Sequence, residues 1–181
     1  MTSTITSPDG APALSRGRDF GVRDRVVVIT GAGQGIGREY AREFAAAGAI
    51  PVLAEINVAA ARNVAAEIEQ AGGRSLVVET DVADPASTEA MVERVVAELG
   101  RVDALINNAA IFSSLQMRPF DQIPLDEWDA VLRVNVTGAF LCARAVVPHM
   151  KAAGWGRIVN IMSGSVPLGI RNYLHYVTSK S

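Results

Sequence analysis

The stretch RVVVITGAGQGIGREYAREF, residues 25–44, decides the fold. It opens with a continuous run of apolar, mostly β-branched residues, which is typical of a strand buried on both faces of a parallel sheet. A glycine-rich turn follows, and then Ile36, Tyr40 and Phe44 recur at every fourth residue until Gly48, as in an amphipathic helix that ends at a glycine. The stretch therefore predicts a strand, a tight turn and a helix in direct succession.

The same alternation continues along the chain. Further strands are predicted over 50–55, 75–80, 101–107 and 156–163. Helices are predicted over 58–70, from Asp84 to Gly100, over 126–153 with Asn135 and Pro148 as candidate kinks, and from about Asn172 onward. Because strands that alternate with helices give right-handed crossovers, the predicted fold is a doubly wound α/β domain: a parallel sheet with helices on both faces.

Length and composition limit the classes of protein to which the chain can belong. Its 181 residues suit one domain, and 49% hydrophobic residues with a mean hydropathy of +0.21 can bury a core. A net charge of -2 gives no basic field for nucleic acid or anionic lipid. Charged residues interrupt the apolar segments, so we expect no membrane partner. The lone Cys142 forms no internal disulfide or metal cluster, which favours a cytoplasmic protein without a metal.

Two regions are expected from composition. Residues 1–20 are rich in Ser, Thr, Pro and Gly and lack the features of a signal peptide, so a flexible N-terminal tail is predicted there. Residues 21–181 are predicted to form the α/β domain.

The glycine-rich turn TGAGQGIG, residues 30–37, is a candidate phosphate site. Glycines allow close approach of the backbone, and the free N–H groups at the start of a helix favour an anion such as a pyrophosphate. The candidate binding residues are Gly31, Gln34, Gly35, Ile36 and Gly37. A glycine-rich turn by itself is commonly only a turn, and Ile36 stands where the usual dinucleotide fingerprint has its last glycine. The position between a strand and a helix favours the binding hypothesis.

Glu55, at the end of the second predicted strand, is the candidate that reads the cofactor ribose. Its carboxylate can accept hydrogen bonds from both adenosine ribose hydroxyls. It would repel a 2′-phosphate by about 4 kcal/mol at roughly 4 Å and an effective dielectric constant of about 20. NAD is therefore predicted over NADP. In the alternatives, Glu55 merely caps the following helix, or Arg62 turns toward a phosphate.

Tyr176 and Lys180 are the candidate catalytic pair. Residues four apart lie on one face of a helix, so the two side chains are expected to be neighbours. An ammonium beside a phenol favours the phenolate, which lowers the tyrosine pKa from about 10 toward the range of a general acid or base. Without its context, such a pair is more often an exposed helix face.

Several motifs, in this order, resemble those of the short-chain dehydrogenase/reductase family: the Thr-Gly-x-x-x-Gly-x-Gly spacing at 30–37, NNAA at 107–110, Asn135, Ser163, and YVTSK at 176–180. The resemblance covers roughly residues 22–181. It implies a Rossmann-type domain and an enzyme that moves a hydride between a nicotinamide dinucleotide and a carbonyl or alcohol.

The resemblance also implies roles for single residues. Ser163 would orient the substrate oxygen, at the family's spacing from Tyr176, which Ser165 fits less well. Tyr176 would act as the base in oxidation, and Lys180 would also hold the nicotinamide ribose. Asn135 would hold a water that relays the proton outward, unless it only kinks its helix.

Further cofactor contacts are implied at the ends of two more strands. Asp81 and Val82 would border the adenine, and Asn107 to Ala109 would line the ribose side. Ala110 and Met162 depart from the family pattern by adding bulk near the cleft, so altered packing is expected there without loss of a reacting group.

Substrate and assembly are expected only in outline. Apolar residues beside the cleft favour a hydrophobic, uncharged secondary alcohol or ketone: Ile111, Phe112, Val166, Leu168 and Tyr173. The family implies a homo-oligomer, a dimer or homotetramer. Family members continue past the position of Ser181, so a truncated chain with a bare fifth strand, poorly stable and inactive by itself, is expected. The alternative function is a truncated, non-catalytic dinucleotide-binding subunit, and the intact set of four catalytic candidates argues against it.

Overall fold

A computed structural model describes residues 21–181; the predicted tail, residues 1–20, lies outside the described residues. The strands are β1 (Val26–Thr30), β2 (Ile50–Glu55), β3 (Leu76–Glu79), β4 (Ala104–Asn107) and β5 (Arg157–Asn160). The helices are α1 (Gly35–Ala46), α2 (Val58–Gln70), α3 (Pro85–Leu99), α4 (Leu125–Leu132), α5 (Gly138–Ala152), α6 (Ser165–Leu168) and α7 (Leu174–Ser179).

The five strands form one parallel sheet in the order β3-β2-β1-β4-β5. In the centre, Val28 of β1 lies opposite Val52 of β2 on one side and Leu105 of β4 on the other. From β1, successive strands are added on one side as far as β3 and then on the other side from β4 onward. The connections on either side of this point lead away from each other, so a crevice forms at the carboxyl ends of β1 and β4. The predicted doubly wound α/β fold is confirmed.

Alternate residues of the strands face two separate cores, as the two-residue period of a strand requires. Val26 and Val28 belong to a core with side chains of α3 and α5, namely Met91, Val92, Val95, Cys142, Val146 and Met150. Val27 and Ile29 face the other side, where they join residues of α1 and α2, namely Ala41, Ala45, Ala61, Val64 and Ile68. The helices therefore cover both faces of the sheet.

Two predicted helix boundaries are confirmed by their caps. The Asp84 side chain accepts a hydrogen bond from the Ala86 N–H at 3.1 Å, and Pro85 occupies the first helical position of α3. Gly100 ends the helix with a φ of 76°, in the left-handed region that glycine adopts without steric cost.

The predicted helix over 126–153 differs in detail. A π-helical turn, Arg133–Thr137, separates α4 from α5, and Asn135 lies in its middle. Helix α5 runs through Pro148 without a break. Pro148 is exposed, so water can hydrate the carbonyl group that loses its hydrogen bond there. The predicted last helix begins at Leu174, because Asn172 has a φ of 63°.

The amino ends of the strands are joined by a buried carboxylate. Asp103, 2% exposed, accepts hydrogen bonds from Arg25 at 2.8 Å, from the Val26 N–H at 2.9 Å, and from Arg101. Burial by itself would raise the pKa of Asp103, but the hydrogen bonds from Arg101, Val26 and Arg25 outweigh it and hold the pKa below its usual range.

The outermost strand of the sheet, β5, is exposed. All four residues of β5 are exposed, and β5 pairs with β4 along one side.

The continuous helical stretch Leu125–Ala152, 28 residues long, is apolar enough to cross a membrane by length and composition alone, with 33% of its most apolar 18-residue window buried. Core helices of water-soluble proteins meet the same criteria, so this is weak evidence for a membrane segment.

Candidate active site

The glycine-rich turn lies at the carboxyl end of β1, and three of its glycines are required, two by their backbone conformation and one by close packing. Gly31 has a φ of 66° and Gly35 a φ of 53°. A Cβ atom at Gly37 would lie 2.1 Å from the Gly31 carbonyl oxygen, whereas one at Gly35 would meet no atom within 4 Å. The start of α1 is thus packed against the strand on one side and open on the other, and the Gln34 side chain does not cap it. This arrangement suits a pyrophosphate.

Thr30 and Asn108 join this turn to the end of β4. The Asn108 side-chain amide donates to the carbonyl oxygens of Thr30 at 2.9 Å and of Gly31 at 3.1 Å. In return, the Thr30 hydroxyl accepts from the N–H groups of Asn108 and Ala109, each at 3.0 Å. These bonds fix the width of the crevice between β1 and β4.

Glu55 lies beside the same turn. One carboxylate oxygen accepts from the Gly33 N–H at 2.9 Å and the other from the Asn57 N–H at 3.0 Å. The cap of α2 is Asn57, whose side chain accepts from the Ala60 N–H at 3.1 Å. Glu55 therefore holds the turn against the start of α2, with its carboxylate beside the turn.

Asp81 and Val82 follow β3 on the same edge of the sheet. The Asp81 carboxylate accepts from the Ala83 N–H at 2.8 Å, and the Asp81 N–H donates to the Ser87 hydroxyl at 2.9 Å. Val82 is 8% exposed and lies so close to α5 that a Cβ atom at Gly138 would be 2.9 Å from it. The segment is held rigidly at the rim of the crevice.

Asn107 and Ala109 lie in a cleft of about 490 Å³ between the ends of β4 and β5 and helix α5. The Asn107 amide donates to the Asn160 side chain at 2.9 Å and to the Ala139 carbonyl at 3.2 Å, while its buried Oδ1 has no partner among the described residues. From the predicted site, Val82, Asn107, Ala109, Asn135 and Lys180 line this cleft. Thr30 of the glycine-rich turn also lines it, whereas residues 31–37 of the turn, Glu55, Ser163 and Tyr176 are not among its lining residues.

Asn135 is buried in the π-helical turn and connects three parts of the site. Its Oδ1 accepts from the Ile111 N–H at 2.8 Å, and its Nδ2 donates to the Ile111 carbonyl at 3.3 Å and to the Ser179 hydroxyl at 2.9 Å. Ser179 in turn donates to the Tyr176 carbonyl at 2.8 Å. The side chain therefore ties the segment after β4 to helix α7, and π-helical turns of this kind recur at functional sites.

Lys180 follows α7 directly and fastens it to the end of β5. Its ammonium group donates to the Ile161 carbonyl at 2.9 Å, and burial lowers the pKa of Lys180. Tyr176 is 7% exposed and packs with Leu115 and Val131. Among the described residues, no hydrogen bond joins the Tyr176 hydroxyl to Lys180 or Ser163.

Aromatic rings surround Tyr176. The ring centroid of Phe112 lies 4.6 Å from that of Tyr176, and the centroid of Tyr173 lies 6.3 Å from it. Phe112 remains 48% exposed, so the ring pair borders open space above the phenol.

Ser163 lies in the turn between β5 and α6, and its hydroxyl oxygen is paired with Ser165. The Ser165 hydroxyl donates to it at 2.9 Å, and the Ser165 N–H donates to it at 3.2 Å. Sequence reasoning missed this role of Ser165 and the role of Ser179. The sequence offered one sign of both roles: each serine lies within two residues of a predicted catalytic residue, Ser163 or Lys180.

Sequence reasoning also missed a polar cluster at His175, the residue before Tyr176. His175 is fully buried, with its Nε2 atom 3.3 Å from a Glu127 carboxylate oxygen, and Arg118 lies 3.4 Å from the other oxygen of Glu127. The Arg118 N–H donates to the Asn172 carbonyl at 3.0 Å. The cluster connects α4, the segment before it, and the start of α7; the distances between these residues in the sequence give no sign of it.

Comparison with known proteins gives the family. The sequence model of a family described as short chain dehydrogenase matches residues 25–181. D-threitol dehydrogenase of Mycolicibacterium smegmatis is 35% identical over 94% of this chain and 64% of its own length. Cis-4-hydroxycyclohexanecarboxylate dehydrogenase of Sinomonas cyclohexanicum is 37% identical over 87% of this chain and 62% of its own length.

The fold has a close counterpart among solved structures. A crystal structure of NAD+-bound xylitol dehydrogenase superposes with a TM-score of 0.83 at 33% identity, over 88% of this chain and 60% of that chain. The chain spans less than two thirds of the length of each of these three proteins.

Proposed function

The chain belongs to the short-chain dehydrogenase family, and we propose that the protein transfers a hydride between NAD(H) and a secondary alcohol or ketone. The names of its relatives support this class of reaction, since D-threitol, xylitol and 4-hydroxycyclohexanecarboxylate are all alcohols. The predicted site residues belong to the described part of the chain, and the glycine-rich turn, Glu55 and the ends of β4 and β5 share one edge of the sheet.

The observation that carries the proposal is the bond from Lys180 to the Ile161 carbonyl at 2.9 Å. It fastens the end of α7, with Tyr176 one turn earlier, to the segment that leads from β5 into Ser163. This bond supports a common site for Ser163, Tyr176 and Lys180 at the edge of the sheet that also carries the glycine-rich turn.

In the proposed oxidation, Tyr176 as phenolate accepts the proton of the substrate hydroxyl, and in reduction the phenol returns it. Ser163 donates a hydrogen bond to the substrate oxygen and stabilises charge that develops there. Bound NAD supplies the acceptor for the hydride that leaves the substrate carbon.

Lys180 and Asn135 support Tyr176 in this proposal. Burial lowers the pKa of Lys180, which makes proton release from the ammonium easier than in water. Lys180 also holds the hydroxyls of the nicotinamide ribose. Asn135 keeps the π-helical turn beside Ser179 and Lys180, where an ordered water can pass the proton outward.

NAD is proposed over NADP because of Glu55. Its carboxylate is held by the Gly33 and Asn57 N–H groups at 2.9 and 3.0 Å, so the negative charge stays beside the turn. A 2′-phosphate at this place would meet like charge. The other cofactor contacts are proposed at Gly31, Gln34, Gly35, Ile36, Gly37, Asp81, Val82, Asn107 and Ala109.

The substrate is proposed to carry an apolar, uncharged body next to its alcohol carbon. Phe112, exposed by 48% and in ring contact with Tyr176, supplies an apolar surface beside the phenol.

We further propose a cytoplasmic homo-oligomer, a dimer or tetramer. Two exposed apolar side chains of the helical stretch Leu125–Ala152, Val136 and Phe140, support a contact between copies. Light scattering measures the mass of the oligomer directly.

The test compares wild-type protein of natural full length with Tyr176→Phe and the matched control Tyr40→Phe, whose ring packs against the core beneath α1 and α2, using NAD and a panel of simple secondary alcohols. We expect turnover by the wild type and the control, and a loss of about 100-fold to 10,000-fold in kcat for Tyr176→Phe. NADH binding, followed by fluorescence titration, should be the same in all three proteins. Retained turnover in Tyr176→Phe removes the role proposed for this residue.

A further inference from the structure

The hydrogen bonds of Ser165 bear on whether the Ser163 hydroxyl donates or accepts a hydrogen bond. Ser165 is 8% exposed and begins the short helix α6. Both of its donors, the hydroxyl at 2.9 Å and the backbone N–H at 3.2 Å, point to the Ser163 hydroxyl oxygen. Among the described residues, the bond to Ser163 is the one hydrogen bond that the Ser165 side chain makes.

A serine hydroxyl has two acceptor lone pairs and one proton to donate. In Ser163 both lone pairs are occupied by Ser165, so the single proton is what remains for another partner. Ser163 itself is half-buried.

We propose that Ser165 is a positioning residue that makes the Ser163 hydroxyl a hydrogen-bond donor toward the substrate oxygen. This inference rests on the proposed function. A donor suits a ketone oxygen, which has only lone pairs to offer, and suits still better the charged oxygen that forms as the alcohol loses its proton. A bond accepted from Ser165 also polarises the Ser163 O–H group and strengthens it as a donor.

The opposite orientation would remove this capacity. If Ser163 donated its proton to Ser165, it could only accept a hydrogen bond, and a ketone has no proton to give. In the orientation found, the Ser165 hydroxyl adds a second donor to the backbone N–H that already points at the Ser163 oxygen. The turn around Ser165 is also closed, because its carbonyl accepts from the Gly169 N–H and from the Ile170 N–H at 3.3 Å.

The experiment uses the protein of natural full length as wild type, Ser165→Ala, Ser165→Thr and the control Ser75→Ala. Ser75 is a half-buried serine at the opposite end of the sheet, just before β3. Three properties are measured: kcat and KM with NAD and the fastest alcohol of the panel, the melting temperature, and the Ser163 side-chain rotamer in crystals.

For Ser165→Ala we expect kcat to fall about tenfold, the effect of one lost hydrogen bond of roughly 1.4 kcal/mol in the transition state. The KM for NAD and the melting temperature should stay close to wild type. Ser163 should occupy more than one rotamer in Ser165→Ala and a single rotamer in the wild type and in Ser165→Thr, which keeps a hydroxyl and should recover kcat. Ser75→Ala should match wild type in all three properties.

An unchanged kcat in Ser165→Ala, or the same single Ser163 rotamer in every variant, would overturn the inference. If the wild type itself turned over no alcohol, the proposed function would fail. The rotamers would then still decide whether Ser165 positions Ser163, because that measurement does not depend on activity.

Discussion

The Asn135 side-chain amide donates a hydrogen bond to the Ser179 hydroxyl at 2.9 Å, across 44 positions of the sequence. Both side chains are buried, and the bond joins the π-helical turn between α4 and α5 to the end of α7. The placement of Lys180, one residue beyond Ser179, therefore depends on an amide that belongs to a different helix.

Removing either partner should destabilise the protein. We expect Asn135→Ala and Ser179→Ala each to lower the free energy of unfolding by about 1–3 kcal/mol, because each leaves a buried polar group unpaired. In the double variant the loss should be smaller than the sum by about 1 kcal/mol. Urea denaturation of the four proteins measures this coupling. Thr178→Ala, an exposed neighbour, is the control, and strictly additive losses would show that the two side chains do not interact.

Neutralising Glu55 should weaken the discrimination between the two cofactors. Glu55→Gln removes the negative charge that opposes a 2′-phosphate, and we expect the ratio of NADPH to NADH affinity to rise about tenfold, a smaller effect than in a dry site because water screens the half-buried carboxylate. Titration of protein fluorescence with each cofactor measures the ratio. Glu79→Gln, at the exposed end of β3, is the control for loss of charge; an unchanged ratio in Glu55→Gln would contradict the role given to Glu55.

A side chain at Gly37 should disrupt the start of α1. The Cβ atom of Gly37→Ala would lie 2.1 Å from the Gly31 carbonyl oxygen and 2.6 Å from the Asn108 amide nitrogen, so the backbone must move. We expect a loss of about 3 kcal/mol in the free energy of unfolding and of most NADH affinity. Gly164→Ala, where the φ is -60° and no atom lies within 4 Å, should be within about 0.5 kcal/mol of wild type. Equal stability of the two variants would count against this packing.

Asp103 should make the stability dependent on pH in the acid range. Its pKa is lower in the folded protein than its ordinary value of 3.8, so the stabilisation is complete above that value and is lost as the pH falls through the lowered folded value. Asp103→Asn should lose about 1–3 kcal/mol at pH 7 and vary less with pH below about pH 4 than wild type. Urea denaturation at pH 7 and at pH 3 tests this. The exposed Asp129→Asn serves as control; a constant difference between wild type and Asp103→Asn at both pH values would refute the assignment.

Much of the fold could be predicted because its signals are local. The bounds of β2 and α2 agree with the predicted 50–55 and 58–70, since β-branched runs, apolar periodicity and glycine stops act within a few residues. The π-helical turn at Asn135 and the short helix α6 were not predicted. Neither element is marked by a repeating pattern of apolar residues that distinguishes it from its surroundings. Each depends on contacts with residues elsewhere in the chain.

The candidate site divides in the same way. The sequence by itself indicated which residues are candidates for the chemistry, and it determined the order of strands and helices that brings the glycine-rich turn, Glu55 and α7 to one edge of the sheet. Only the tertiary structure decided that Lys180 bonds to Ile161, that Asn135 bonds to Ser179, and that Ser165 bonds to Ser163. A residue's type and period are local properties of the chain, whereas the partner of a buried polar group is set by which elements pack against each other.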